Sequence, residues 1–107
     1  MQKAHNVCYS GDVKTFGWDA AKNLLLQRDR GVSFEDVVFH IEAGHEVAVF
    51  MHPNQLRYPN QKISVVVIEN YAYLVPFVES DTEIFLKTII PSRKATKQFR
   101  GNPDEET

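Results

Sequence analysis

The segment that decides the fold runs from Lys62 to Ile90 and reads KISVVVIENYAYLVPFVESDTEIFLKTII. Lys62 to Ile68 is dense in β-branched residues, and turn residues separate it from two further strand-like runs, Tyr71 to Val78 and Glu83 to Ile90. Closely spaced strands joined by short turns favour an antiparallel meander over parallel units. Pro76 has no N–H to donate, so the second strand is predicted to be an edge there or to carry a bulge.

Upstream of this segment, a first helix is predicted from Ala20 to Arg30. The carboxylate of Asp19 can accept hydrogen bonds from the unpaired amides of the first helical turn, and Gly31 can adopt the left-handed conformation that ends a helix. From the helical spacing of apolar residues we expect Leu24 and Leu25 to face the core.

A second helix is predicted to begin at Ser33, which with Asp36 three residues on resembles a capping box with a shorter acid. Gly44 can end this helix. Its apolar stripe has the spacing i, i+3, i+4, i+7. The stripe consists of Phe34, Val37, Val38 and Ile41.

The remaining elements complete the order β-α-α-β-β-β-β-α, an α+β domain with helices laid against an antiparallel sheet. A first strand is predicted over Val13 to Trp18 and another over Val47 to Met51, followed by a loop from His52 to Gln61. Pro91 ends the last strand, and Ser92 can cap a final helix to about Arg100.

The chain of 107 residues is long enough for one domain. We expect a flexible N-terminal arm over residues 1–12, a single domain over 13–100 and an acidic tail over 101–107. A single cysteine cannot form an internal disulfide, and no apolar run approaches the ~20 residues of a membrane span. With no leader-like start either, a cytoplasmic protein without membrane contact is expected.

The net charge of −2 hides a segregation of charge along the chain. Ser33 to Leu56 holds four acids and no Lys or Arg, whereas Lys87 to Arg100 holds five bases and no acid. Such a bipolar domain can meet an anionic polymer with one surface and a basic protein segment with another.

Common enzyme motifs are absent: the sequence has no Gly-rich phosphate loop, HExxH, CxxC or GxSxG. His45 and His52 are seven residues apart, so a regular strand would place them on opposite faces. No metal and no cofactor are therefore expected. His40, near the end of the second helix, is interpreted as a partner of the terminal carbonyls.

Alternation along the last strand predicts two different faces. Ile84, Leu86, Thr88 and Ile90 are expected to face the core. Glu83, Phe85, Lys87 and Ile89 lie on the other face, which is expected to point outward, close to the bases that follow. Cations interleaved with aromatic rings suit single-stranded RNA, because cations meet phosphates and rings stack on bases. The alternative is a solvated sheet face with cross-strand ion pairs.

Two blocks of sequence resemble the BrnT-type toxins. Phe16 to Phe34, FGWDAAKNLLLQRDRGVSF, is similar to the opening strand and helix starts of that family, and Ile89 to Thr96, IIPSRKAT, is similar to its ending. The family usually has an acid-Ile-Arg run entering the end of the last strand, where this chain has Leu86, Lys87 and Thr88.

The resemblance implies a RelE-like fold and a ribonuclease toxin of a type II toxin–antitoxin pair. It implies RNA as substrate and, as partner, a small antitoxin with a DNA-binding part of the ribbon-helix-helix kind, in a hetero-oligomer. An inactive homologue, or a small adaptor that only binds protein, is the alternative.

A mechanism follows as a hypothesis from that resemblance. Fixed cations stabilise the pentavalent phosphate, and carboxylates and lysines move protons. The expected catalytic residues are Lys87, Arg93, Arg57, Glu83 and Glu69, with either glutamate as base. The expected RNA-binding residues are Lys22, Arg30, Lys62, Tyr73, Lys94 and Lys97, with Lys62 or Lys94 as proton donor.

Overall fold

The computed structural model describes residues 5–9 and 12–99, with side-chain surroundings from Lys14 onward. The expected α+β class is confirmed, and the predicted helix and strand bounds agree to within a few residues outside the last strand. The elements in chain order are β1 (His5–Tyr9), β2 (Asp12–Trp18), α1 (Ala20–Arg30), α2 (Phe34–Glu42), β3 (Glu46–Met51), β4 (Gln61–Ile68), β5 (Tyr71–Glu79), β6 (Glu83–Leu86), β7 (Ile90–Pro91) and α3 (Arg93–Phe99).

The strands form one sheet in the order β1-β2-β6-β5-β4-β3, with β7 also pairing with β5. The predicted antiparallel meander is confirmed from β3 to β6. The prediction of a wholly antiparallel sheet is wrong, because β2 pairs with β6 in parallel. The two helices after β2 carry the chain to the far edge, and the meander then returns β6 beside β2 in the same direction.

The N-terminal pairing was not anticipated from the sequence. Strand β1 lies inside the segment expected to be an arm. It pairs antiparallel with β2, and Val7 lies opposite Lys14. The expected acidic tail, residues 101–107, lies outside the described residues.

Helices α1 and α2 cover one face of the sheet, which we call the α1–α2 face. The predicted stripe of α2 is confirmed, since Phe34, Val37 and Val38 are fully buried and Ile41 packs against them. Phe34 stacks on Trp18 of β2 with ring centroids 5.8 Å apart. Burial of these large side chains ties the helices to the sheet.

The prediction that Leu24 and Leu25 of α1 face the core is wrong. Leu24 and Leu25 are 68% and 42% exposed, whereas Asn23 and Leu26 are buried. The Asn23 amide explains this rotation: its Oδ1 accepts from the N–H of Phe34 at 2.7 Å, and its Nδ2 donates to Glu35 at 2.8 Å. A buried amide with both ends hydrogen-bonded holds α1 against the start of α2.

The last strand is interrupted, so its predicted alternation holds only as far as Leu86. Ile84 and Leu86 are buried as predicted, but beyond the break Ile89 is fully buried and Ile90 is 40% exposed, the reverse of the expectation. Leu86 pairs with Phe77 and Ile90 pairs with Leu74, so the four residue steps from Leu86 to Ile90 lie opposite only three steps of β5. The one extra residue reverses which side chains of the strand face the core. The extra residue lies in the segment opposite Pro76, whereas β5 itself is an interior strand in unbroken register with β4, so the prediction of an edge or a bulge in β5 is wrong.

Helix α3 covers part of the opposite face, which we call the α3 face. Ala95 and Phe99 pack on Val65, Ala72 and Leu74, as their four-residue spacing predicts. Ser92 caps this helix, because its Oγ accepts from the N–H of Ala95 at 3.0 Å. None of the helices in the described ranges is long and apolar enough to cross a membrane.

Candidate functional site

The uncovered part of the α3 face carries an aromatic ring beside a cation. Phe85 is half-buried there, and the Lys87 ammonium lies 5.5 Å from its ring centroid. The main chain of Lys87 is fixed, since its N–H donates to the carbonyl of Pro76 at 2.8 Å. A cation held against a ring face is a stable pair that still presents charge to solvent.

Glu83 lies on the same face, two residues before Phe85. Its carboxylate reaches across β2 at Gly17, where a Cβ atom would collide with a carboxylate oxygen. Glycine at position 17 therefore lets Glu83 lie half-buried over the neighbouring strand. A larger residue there would push the carboxylate aside, because the end of a Glu side chain moves easily.

Three more cations follow on α3. Arg93, Lys94 and Lys97 are exposed, because Ala95 and Phe99 take the side of the helix that packs on the sheet. Lys94 lines a groove of about 330 Å³ between α3 and the sheet. Within residues 14–99, neither these three cations nor Lys87 take part in an ion pair.

The two glutamates expected as alternative bases are far apart. Glu69 lies in the β4–β5 turn with a left-handed backbone (φ 51°), and Glu83 lies at the start of β6, beyond the other end of β5. The nine residues of β5 span about 30 Å at about 3.3 Å per residue. One reaction centre cannot use both residues.

Other expected RNA-binding residues lie on the α1–α2 face. Lys22 and Arg30 belong to α1. Arg30 donates to the carbonyl of Ile89, within the bulged segment between Leu86 and Ile90. Tyr73 packs against the core of this face beside Tyr71. Burial raises the pKa of the Tyr73 phenol, with Tyr71 and Glu69 adding to the effect. Arg30 therefore reaches the main chain two residues from Lys87, whereas Tyr73 lies on the opposite face from Phe85.

A cluster that the sequence reading missed lies at the β5–β6 end of the α1–α2 face. Glu79 accepts from Lys14 at 2.6 Å and from Lys62 at 3.3 Å. Lys62, expected to bind RNA, therefore lies on the face opposite Phe85 and Lys87. Lys14, Lys62 and Glu79 are each an even number of positions from a buried core residue of their own strand, which places them on the α1–α2 face. Only the strand order brings β2, β4 and β5 close enough for contact.

The hydrogen bond from Lys14 lowers the pKa of Glu79 below its ordinary value of 4.5; burial opposes this, and Lys62 adds to the lowering. A group whose pKa is lowered by folding adds stability above its unfolded pKa and loses it as the pH falls through the folded value.

We therefore expect the free energy of unfolding lost in Glu79→Gln to be largest at neutral pH. This loss should shrink as the pH falls below about 4.5. Urea unfolding followed by Trp18 fluorescence measures it, with Asp81→Asn in the adjacent exposed turn as control. A loss that is independent of pH would contradict the prediction.

The histidines do not gather a metal-ligand set. The Nδ1 atoms of His40 and His45 lie 2.8 Å apart, so one ring donates to the other. His52 instead lies against Tyr58 in the β3–β4 loop. Across residues 14–99 no group of three or more His, Cys, Asp or Glu residues could hold a metal ion.

Arg57, expected among the catalytic residues, is exposed in the β3–β4 loop beside Tyr58. On the α3 face the structure places Glu83 and Lys87 near Phe85, and it places Arg93 and Lys94 on α3, which packs on Ala72 and Leu74 toward the other end of β5. Comparison with known proteins adds no further guide, because no family model, curated protein or solved structure matches this chain.

Proposed function

We propose that this chain is the toxin of a type II toxin–antitoxin pair, and that it is a metal-independent endoribonuclease neutralised by a cognate antitoxin. The observation that carries the proposal is a set of exposed cations on the α3 face, Lys87 beside Phe85 and Arg93 and Lys94 on α3, that form no ion pair within residues 14–99. Such cations, together with a half-buried ring, suit a single-stranded RNA backbone and its bases. The sequence blocks that resemble BrnT-type toxins support the same function.

In the proposed reaction, the RNA 2′-hydroxyl attacks the adjacent phosphorus and Glu83 takes its proton. The bond to the 5′ oxygen then breaks, and this oxygen takes a proton from water. The products are a 2′,3′-cyclic phosphate and a 5′-hydroxyl. Lys87 and Arg93 stabilise the negative charge that builds on the pentavalent phosphate.

Position is the reason for choosing Glu83 as base, because it lies two residues from Phe85 on the same face as Lys87. Glu69 lies at the opposite end of β5, and Lys62 is bound to Glu79 on the opposite face. Arg57, at the β3–β4 loop, is two strands away from β6 and contributes to substrate binding rather than to the reacting phosphate.

Edge strand β3 supports a protein partner. Val47, Val49, Phe50 and Met51 are each between 43% and 52% exposed. An apolar edge strand is a template for pairing with another chain. In the proposal this partner is the antitoxin, and the pair acts in the cytoplasm. The same strand favours the alternative, an inactive homologue or adaptor that only binds protein.

Expression separates these functions. We expect the chain alone to arrest growth and a neighbouring short reading frame of ribbon-helix-helix type to relieve the arrest. The purified chain is expected to cleave RNA in excess EDTA and to leave 2′,3′-cyclic phosphate ends. Stable binding to that neighbour without arrest or cleavage would favour the inactive homologue or adaptor.

A further inference from the structure

The loop between β3 and β4 is held in one shape by its own hydrogen bonds. The N–H of His52 donates to the carbonyl of Gln61 at 2.8 Å and closes the loop. The Gln55 amide nitrogen donates to the carbonyls of His52 (2.8 Å) and Gln61 (3.1 Å), and its oxygen accepts from the N–H of Asn60 at 3.1 Å. A surface that is ordered before binding loses less conformational entropy when a ligand arrives.

This scaffold holds two aromatic rings together. The His52 and Tyr58 ring centroids lie 4.5 Å apart with 38° between the planes. The N–H of Asn54 donates to Nδ1 of His52 at 3.0 Å, and the Asn54 carbonyl accepts from the N–H of Tyr58 at 2.9 Å. Tyr58 remains 37% exposed, so part of the pair is accessible for stacking.

The same loop holds a cation beside the rings. The Nε of Arg57 donates to the Tyr58 hydroxyl at 3.1 Å, and its main-chain N–H donates to Oδ1 of Asn54 at 3.1 Å. Within residues 14–99, the terminal amino groups of Arg57 make no hydrogen bond or ion pair. A guanidinium with these donors available binds a phosphate through two parallel hydrogen bonds.

We infer that the β3–β4 loop binds one nucleotide of a single-stranded RNA, with the base on the Tyr58–His52 ring pair and a phosphate on Arg57. This inference rests on the proposed ribonuclease function and adds a substrate-binding subsite to it. Strands β4 and β5 separate the loop from β6, so the subsite lies about 10–15 Å from Lys87. It therefore holds a nucleotide that flanks the one cleaved.

The composition of the loop favours RNA over a protein partner. His52 to Gln61 contains no Asp or Glu, so no acidic side chain within it opposes a phosphate. The nearby Lys62 and Lys14 share the carboxylate of Glu79, and Asp81 lines the same pocket, so the positive charge of the subsite is that of Arg57 itself. Stacking accepts any base, so we expect little sequence preference at this subsite.

Binding is measured with a fluorescein-labelled 2′-O-methyl oligouridylate, in which the attacking hydroxyl is blocked. We expect Tyr58→Ala and Arg57→Ala each to weaken binding by about tenfold, from loss of stacking and of the phosphate contact. Tyr58→Phe keeps the ring and should stay within a few-fold of wild type. Leu56→Ala, at a fully exposed residue of the same loop, is the matched control.

A cleavable oligonucleotide gives a second readout that a merely structural role would not produce. Because the subsite flanks the reacting phosphate, Tyr58→Ala should raise KM by about tenfold and change kcat little. Circular dichroism and thermal melting show whether each variant is folded. If Tyr58→Ala is unfolded, the comparison of Arg57→Ala with Leu56→Ala decides.

The outcomes separate this inference from the proposed function. If wild type cleaves RNA, and the Tyr58 and Arg57 variants bind and cleave like wild type, the subsite is overturned while the function stands. If these variants lose antitoxin binding instead, the loop is a protein contact and the inference is overturned. A wild-type chain that neither binds nor cleaves RNA overturns both.

Discussion

A chain in which Lys87 and Arg93 are both replaced by alanine is expected to cleave RNA about 100-fold more slowly, or slower still, than wild type. Removing one preorganised donor from developing negative charge commonly costs a factor of about 100 to 1,000 in rate. In the proposed reaction both cations act on the pentavalent phosphate, so kcat should fall more than KM rises. Single-turnover cleavage of a labelled oligonucleotide in EDTA measures the loss.

This variant should remain folded, because Lys87 and Arg93 are exposed and form no ion pair among residues 14–99. The hydrogen bond from the main chain of Lys87 to Pro76 does not depend on its side chain. Arg28→Ala, at an exposed cation of α1, is the matched control and should cleave like wild type. Equal rates for wild type and the double variant would refute the assigned roles.

Phe34→Ala is expected to lower the free energy of unfolding by about 3–5 kcal/mol. Phe34 is fully buried and stacks on Trp18, so truncation leaves a cavity between α2 and β2. Natural domains are stable by only about 5–15 kcal/mol in total. We therefore expect Tm to fall by about 15 °C or more. Urea unfolding followed by fluorescence of the single tryptophan gives the free energy directly.

The same helix offers the control. Phe39 is 65% exposed on α2, and Phe39→Ala should change the free energy of unfolding by about 0.5 kcal/mol or less. The two variants remove the same side chain from the same helix, so burial alone separates them. Similar losses from both would contradict the packing of α2 described above.

Local sequence signals were sufficient for most element boundaries. Helix α1 begins after Asp19, whose carboxylate accepts from the N–H of Lys22, and ends at Gly31 with φ 71°, as predicted. The capping box of Ser33 and Asp36 is present in the structure. These signals depend on residues within one turn of the chain, so the sequence displays them directly.

The candidate site was only partly predictable. Alternation placed Glu83, Phe85 and Lys87 on one face, because that pattern depends only on the chain up to the bulge. No local pattern could show that Glu69 and Glu83 lie at opposite ends of β5. For the same reason, the contacts of Glu79 with Lys14 and Lys62 were not foreseen.

The sequence by itself determined the bounds of the helices and of the hairpin strands, because caps and turns act over a few residues. The tertiary structure alone decided the parallel pairing of β2 with β6 and the inward turn of Asn23 in place of Leu24. It also decided the reversal of Ile89 and Ile90. Each of these depends on a partner distant in the chain, and only folding brings such partners within hydrogen-bonding or packing distance.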